Sequence, residues 1–130
     1  SESLLKENKF IALEEFKNEK ILVNFFASWC KPCRDEHDYI LQFSKVENLK
    51  VIGINYKDNS EKAISWLNKL GNPYSKIAID KNGAIAINWG VYGIPETFII
   101  NSKGTVKYRH VGPVTKKIYK EINSLIKEIK

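Results

Sequence analysis

Methionine is absent from this chain, and cysteine and histidine occur only twice each. Starting at Ser1 with no methionine, the chain is expected to be a processed or trimmed piece, with any anchor or export signal lying upstream. No apolar run reaches the roughly 18 residues of a membrane-spanning helix, and no signal peptide is visible. The net charge is +6, but the lysines are scattered rather than gathered into a block with interleaved aromatics. Nucleic acid is therefore not an expected partner. There are no repeats or low-complexity tracts. Two cysteines alone leave the compartment open, because such pairs work on both sides of a membrane.

The composition is that of an ordinary globular protein, and 130 residues make one domain, 1–130, with a polar N-terminal segment over 1–9. Both cysteines fall in the stretch Trp29-Cys30-Lys31-Pro32-Cys33, after the apolar run Ile21-Leu22-Val23-Asn24-Phe25-Phe26. That run reads as a buried strand, and a helical pattern follows Cys33. A C-x-x-C pair on a helix N-terminus after a strand is the setting of a redox dithiol. The thiolate is the attacking species, and unpaired N–H groups and the macrodipole at a helix start favour it. Cys30 is placed to be nucleophilic and is expected to be exposed. Pro32 sits in the first turn, where its missing N–H matters least. Cys33 is close enough to close a disulfide and resolve a mixed one.

Two other uses of the pair compete. A structural disulfide closing so small a loop would constrain the unfolded chain little. A metal-binding chaperone would add His37 as a third ligand, in C-x2-C-x3-H. A closed zinc site takes four ligands, and only His110 remains as a nitrogen donor.

Apolar spacing predicts a short helix over 10–16, a strand over 21–27 and a helix from the cysteines to about Val46. On that helix Cys33, Glu36, His37 and Ile40 share one face, with Arg34, Asp35 and Asp38 in solvent. A second buried strand covers 51–56. A helix follows to Leu70, capped from Asp58-Asn59-Ser60, with Ile64, Trp66 and Leu67 as its apolar contacts. Gly71 and Asn72-Pro73 end it. A short strand over 77–79, a turn over 80–83 and one or two helical turns over 84–89 come next. Strands over 97–100 and 105–109 form a hairpin. The last helix starts near Thr115, with Ile118, Ile122, Leu125, Ile126 and Ile129 as one face. The βαβ units imply a parallel core and the hairpin makes the sheet mixed. The expected class is a three-layer α/β/α sandwich.

Trp-Cys-x-x-Cys after a central strand resembles the thioredoxin superfamily. The segment Gly90-Val91-Tyr92-Gly93-Ile94-Pro95-Glu96-Thr97-Phe98 is more specific. With Cys33-Arg34-Asp35-Glu36-His37, Gly71-Asn72-Pro73-Tyr74 and Tyr108-Arg109-His110, it resembles the periplasmic cytochrome c biogenesis reductases, the DsbE/CcmG group, over about residues 10–130. The resemblance implies a thioredoxin-like fold with an extra αβ insertion in the middle. It implies thiol–disulfide exchange with Cys30 and Cys33 as catalytic residues and no cofactor beyond that redox-active disulfide. Trp29, Pro32, Glu36, Ile94, Pro95 and Glu96 would complete the site. Pro95 is expected to be cis beside the cysteines, with the Ile94 backbone free to pair with an extended client segment.

Glu36 and Glu96 match the glutamates that make this group's site acidic. Either is a candidate to take the Cys33 proton, because the buried Asp of the common thioredoxin pattern is replaced here by Asn24. The implied clients are apocytochrome c or a cytochrome c maturation protein, with electrons from a membrane thiol carrier of the DsbD or CcdA kind. The implied location is periplasmic, tethered to the inner membrane in the full-length protein, and the implied state is a monomer. The rival readings are a general disulfide reductase or oxidase for exported proteins, and the metal chaperone using Cys30, Cys33 and His37.

Overall fold

The apolar run ahead of the cysteines becomes the middle strand of a five-stranded sheet in the computed structural model, which describes Phe16 and residues 18–130. The polar segment 1–9 and all but the last residue of the helix expected over 10–16 lie outside the described residues. The elements are β1 (Lys20–Phe26), α1 (Lys31–Phe43), β2 (Leu49–Tyr56), α2 (Ser60–Leu70), β3 (Lys76–Asp80), α3 (Ala84–Asn88), β4 (Glu96–Ile100), β5 (Val106–Val111) and α4 (Lys116–Glu128). Strand order is β3-β2-β1-β4-β5. β1, β2 and β3 run parallel, and β4 is antiparallel to both β1 and β5. The inserted pair α2–β3 extends the sheet beyond β2.

Continuous apolar character makes sense for β1 because both of its faces are covered. Leu22 and Phe26 point into one core with Ile40, Phe43, Trp66 and Ile122, so α1, α2 and α4 share that side. Ile21, Val23 and Phe25 point the other way, into a core shared with Phe98 and with Ile85 and Ala86 of α3. Two consecutive right-handed crossovers in one direction, β1-α1-β2 and β2-α2-β3, leave both helices on the same face. The result is the three-layer α/β/α sandwich.

Local chemistry sets the helix ends. Asn59 is the N-cap of α2, its side chain accepting from the Lys62 N–H at 3.0 Å. Thr115 caps α4 by accepting from the Ile118 N–H at 3.3 Å. Several expectations shift. α1 stops at Phe43 rather than near Val46, because Ser44 closes it and a turn follows. β5 runs on to Val111. Ile64 is not a core contact: it stands 59% exposed, and Ala63 takes the inward position with Trp66 and Leu67. The face expected for the last helix holds: Ile122 and Ile126 are buried, and Ile118, Leu125 and Ile129 pack half-buried against the same core.

Candidate active site

Cys30 is the N-cap of α1, in an extended conformation, and Pro32 lies within the first turn. Cys30 and Cys33 form a disulfide with their Cα atoms 5.3 Å apart. The Cys33 N–H donates to the Cys30 sulfur at 3.2 Å. That contact stabilises a thiolate at Cys30 when the pair is reduced, together with the positive end of the helix dipole.

One expectation is corrected here: Cys30 is not an open sulfur. It is 5% exposed against 1% for Cys33, so in the disulfide form both are covered and Cys30 is the less covered of the two. The reason is packing, since both cysteines belong to the core cluster of Leu22 and Phe26. Pro32 and Trp29 face solvent on the same rim. The Trp29 indole N–H donates to the Lys57 carbonyl at 2.9 Å.

The second wall of the site is the segment before β4. β4 pairs antiparallel with β1, with Glu96 opposite Phe25 and Thr97 opposite Asn24. Continuing that register sets Pro95 and Ile94 against the end of β1, where the chain turns toward Cys30. The Ile94–Pro95 peptide is cis. Ile94 is half-buried and packs against both core clusters, including the one that holds the cysteines. Tyr92, two residues earlier, is 86% exposed.

Pleating separates the two candidate acids. Asn24 and Thr97 point to the cysteine side of the sheet, and Glu36 reaches the same layer from α1, one turn beyond Cys33. Its carboxylate accepts from the Asn24 amide at 2.9 Å and from the Val114 N–H at 2.9 Å. Burial raises the Glu36 pKa to about 7, against the lowering by those two donors. Glu96 points to the opposite face, where it is buried and accepts from Arg109 Nε. Arg109 also donates to the Gly90 carbonyl at 2.6 Å and lies over the Phe98 ring. Glu36 therefore lies on the cysteine side of the sheet, one helical turn from Cys33, and Glu96 lies on the opposite side paired with Arg109, since a period-two strand cannot aim Glu96 and Thr97 the same way.

His37 is committed elsewhere. Its Nε2–H donates to the Gly71 carbonyl at 2.7 Å, and its ring meets Trp66 edge-on. Burial lowers its pKa, against the raising effects of Gly71 and Asp38. A nitrogen bonded in this way is not offered to a metal at the cysteines.

The residue that sequence reasoning missed is Asp58, expected only as a possible helix cap. Its carboxylate accepts from the Ser28 N–H at 2.7 Å, the Ser28 hydroxyl at 2.8 Å, the Asn55 amide at 3.1 Å and the Asn59 N–H at 2.8 Å. Burial pushes its pKa up, and these donors outweigh that and hold it below its ordinary value. Asp58 thus ties the loop after β2 to the loop that delivers Cys30. Its pairing with Ser28, 30 residues away, leaves no periodic signal in the sequence.

Fold and site together define a thioredoxin-like domain with a C-x-x-C disulfide on a helix N-terminus. The chain belongs to the Redoxin family, whose model matches residues 2–126. It is 51% identical over 105 residues to the thiol:disulfide interchange protein CycY of Rhizobium leguminosarum bv. viciae, covering 81% of this chain and 56% of that one. It is 42% identical over 121 residues to the thiol:disulfide interchange protein DsbE of Escherichia coli strain K12, covering 92% of this chain and 65% of that one. The chain thus spans between about half and two-thirds of the length of these curated relatives. A solved thiol:disulfide interchange protein of the thioredoxin family from Chlorobium tepidum TLS matches with a TM-score of 0.73 at 27% identity, over 87% of this chain and 83% of that one.

Proposed function

We propose that the protein is a thiol:disulfide oxidoreductase that reduces the disulfide of apocytochrome c, or of a maturation partner holding it, during cytochrome c biogenesis. The observation that carries this reading is the Cys30–Cys33 disulfide at the start of α1 with a buried carboxyl, Glu36, one turn below it. Relatives with thiol:disulfide interchange names over most of the chain support it.

In this reading exchange takes two successive attacks on sulfur. The Cys30 thiolate attacks one sulfur of the client disulfide, and the other client sulfur leaves as a thiolate and takes a proton. Cys33 gives its proton to the Glu36 carboxylate and attacks the Cys30 sulfur in the mixed disulfide. The second client thiolate leaves, and the protein is left oxidised, as it stands in this structure. A carboxyl with a pKa of about 7 suits both acceptance and release of that proton near neutral pH. The client's extended chain lies along the Ile94 backbone as an added strand. Two electrons from a membrane thiol carrier of the DsbD or CcdA kind restore the dithiol, in a periplasmic setting with the domain tethered to the membrane. No helix among the described residues is long and apolar enough to cross a membrane.

The test is a trap. Cys33→Ser, incubated with an oxidised C-x-x-C-H peptide, is expected to accumulate a mixed disulfide through Cys30, and Cys30→Ser is not. The reduction potential of the pair is expected below the roughly −180 mV of protein disulfide isomerase. A potential near the roughly −120 mV of strong periplasmic oxidants, with no peptide trapped, overturns the reading in favour of an oxidase.

A further inference from the structure

Asn24 lies at the centre of a buried hydrogen-bond chain with a fixed direction. The Tyr74 hydroxyl donates to the Asn24 carbonyl oxygen at 2.7 Å. The Asn24 NH2 donates to Glu36 Oε2 at 2.9 Å and lies 3.3 Å from the Thr97 hydroxyl. An amide has one acceptor end and one donor end, so whichever neighbour claims the oxygen decides where the nitrogen points. Tyr74 comes from the turn between α2 and β3, far from the cysteines in sequence. Its position is set by the Asn72 side chain, which accepts from the Tyr74 N–H at 2.9 Å, and by stacking on Phe26 with ring centroids 4.6 Å apart. Gly53 on β2 makes room for it, since a Cβ there would meet the Tyr74 ring at 2.8 Å.

We propose that Tyr74 is a positioning residue for proton transfer: its hydroxyl pins the Asn24 amide so that the NH2 faces Glu36, which keeps that carboxyl a proton acceptor for Cys33. The inference rests on the exchange chemistry proposed above and adds what holds the acid in its working state. With the amide turned over, its oxygen would face a carboxylate oxygen. That arrangement is tolerable only with a proton between them, so Glu36 would stay protonated and could not accept another. Tyr74 is suited to the task because burial, and then the Glu36 charge, raise its own pKa well above the ordinary value. It keeps its proton and acts only as a donor toward the carbonyl. The Glu36 carboxyl is met directly by Asn24 from β1 and by the Val114 N–H ahead of α4. Tyr74 from the turn and Thr97 from β4 reach it through the Asn24 amide, Tyr74 also feeling its charge, and Cys33 lies one turn back on the same helix. The neighbouring His37 is turned away to Gly71.

The experiment reads Glu36 directly. In protein labelled with 13C at glutamate carboxyls, with the signal assigned by its loss in Glu36→Gln, the Glu36 titration is followed by NMR in the oxidised state. Tyr74→Phe keeps the ring stack and removes only the hydroxyl. It is expected to move the midpoint from about 7 to about 8, and to move the pH dependence of peptide-disulfide reduction the same way. In an Asn24→Leu background, Tyr74→Phe is expected to add nothing, because Tyr74 acts through the amide. An unchanged Glu36 midpoint in Tyr74→Phe, or a full further change in the Asn24→Leu background, overturns the proposal. The titration needs no client, so loss of the reductase reading and loss of this inference are told apart: the first is an inactive wild type, the second an unmoved carboxyl.

Discussion

Glu36 holds its proton to about pH 7 in the folded protein, against 4.5 for an ordinary glutamate. Between those values the folded chain binds more protons than the unfolded one. Its contribution to stability is therefore full below pH 4.5 and is lost as pH rises through 7. At about 1.4 kcal/mol per pH unit, that amounts to roughly 3 kcal/mol. His37 works in the opposite sense: its folded pKa is depressed by burial, so it destabilises the fold as pH falls below its unfolded value. The Glu36 part is isolated by comparing wild type with Glu36→Gln in urea melts from pH 4 to 8. Wild type is expected to lose roughly 3 kcal/mol relative to the variant across that range. A difference that stays flat would mean that Glu36 titrates alike in the folded and unfolded chain. At this scale the sequence was partly legible. Helical spacing put Glu36 beside Cys33, and strand spacing was available to show that Glu96 and Thr97 diverge. The Arg109 that claims Glu96 comes from another strand and is reached only through the pairing of β4 with β5.

Among the elements, the loop leading into α1 is the one most dependent on a distant partner. Ser28 and Trp29, on the short stretch between β1 and Cys30, are held by the loop after β2, through Asp58 and the Lys57 carbonyl. Removing the Asp58 carboxylate leaves the Ser28 N–H, the Asn59 N–H and the Asn55 amide without their acceptor. Asp58→Ala is expected to speed amide hydrogen exchange at Ser28 roughly tenfold or more, at a loss of about 1–3 kcal/mol, with exchange in α4 unchanged. Equal acceleration in α4 would mark a global loss of stability rather than release of one loop. Helix limits were readable where a cap was local, as at Asn59 and Thr115. The stop of α1 at Phe43 was not, because the apolar pattern continues into Val46 while the backbone has already turned.

For the whole molecule, the unequal layers matter most. α1, α2 and α4 pack on the face of the sheet that carries the cysteines, and Ile122 anchors α4 there with no exposed surface. Ile122→Ala is expected to lower the unfolding free energy by about 3 kcal/mol, measured as a reduced denaturant midpoint with an unchanged slope. A loss under roughly 1 kcal/mol would show that α4 contributes little to the core. The three helices also wall in the Glu36–Asn24–Tyr74 chain, so the burial that stabilises the fold is the same burial that raises the proton affinity of Glu36.

The strand–turn–helix around the cysteines, the hairpin and the amphipathic helices were determined by the sequence alone, because each rests on neighbours within a turn or two: period-two or 3.6 spacing, a cap, a glycine. The class of chemistry was legible for the same reason, with Trp29 to Cys33 contiguous. Only tertiary structure decided that Glu96 faces away from the cysteines to meet Arg109, that Asp58 holds Ser28, and that the Tyr74 hydroxyl bonds Asn24. Those choices depend on which strands lie side by side and on which face a pleat presents, and neither is written in the spacing of any single segment.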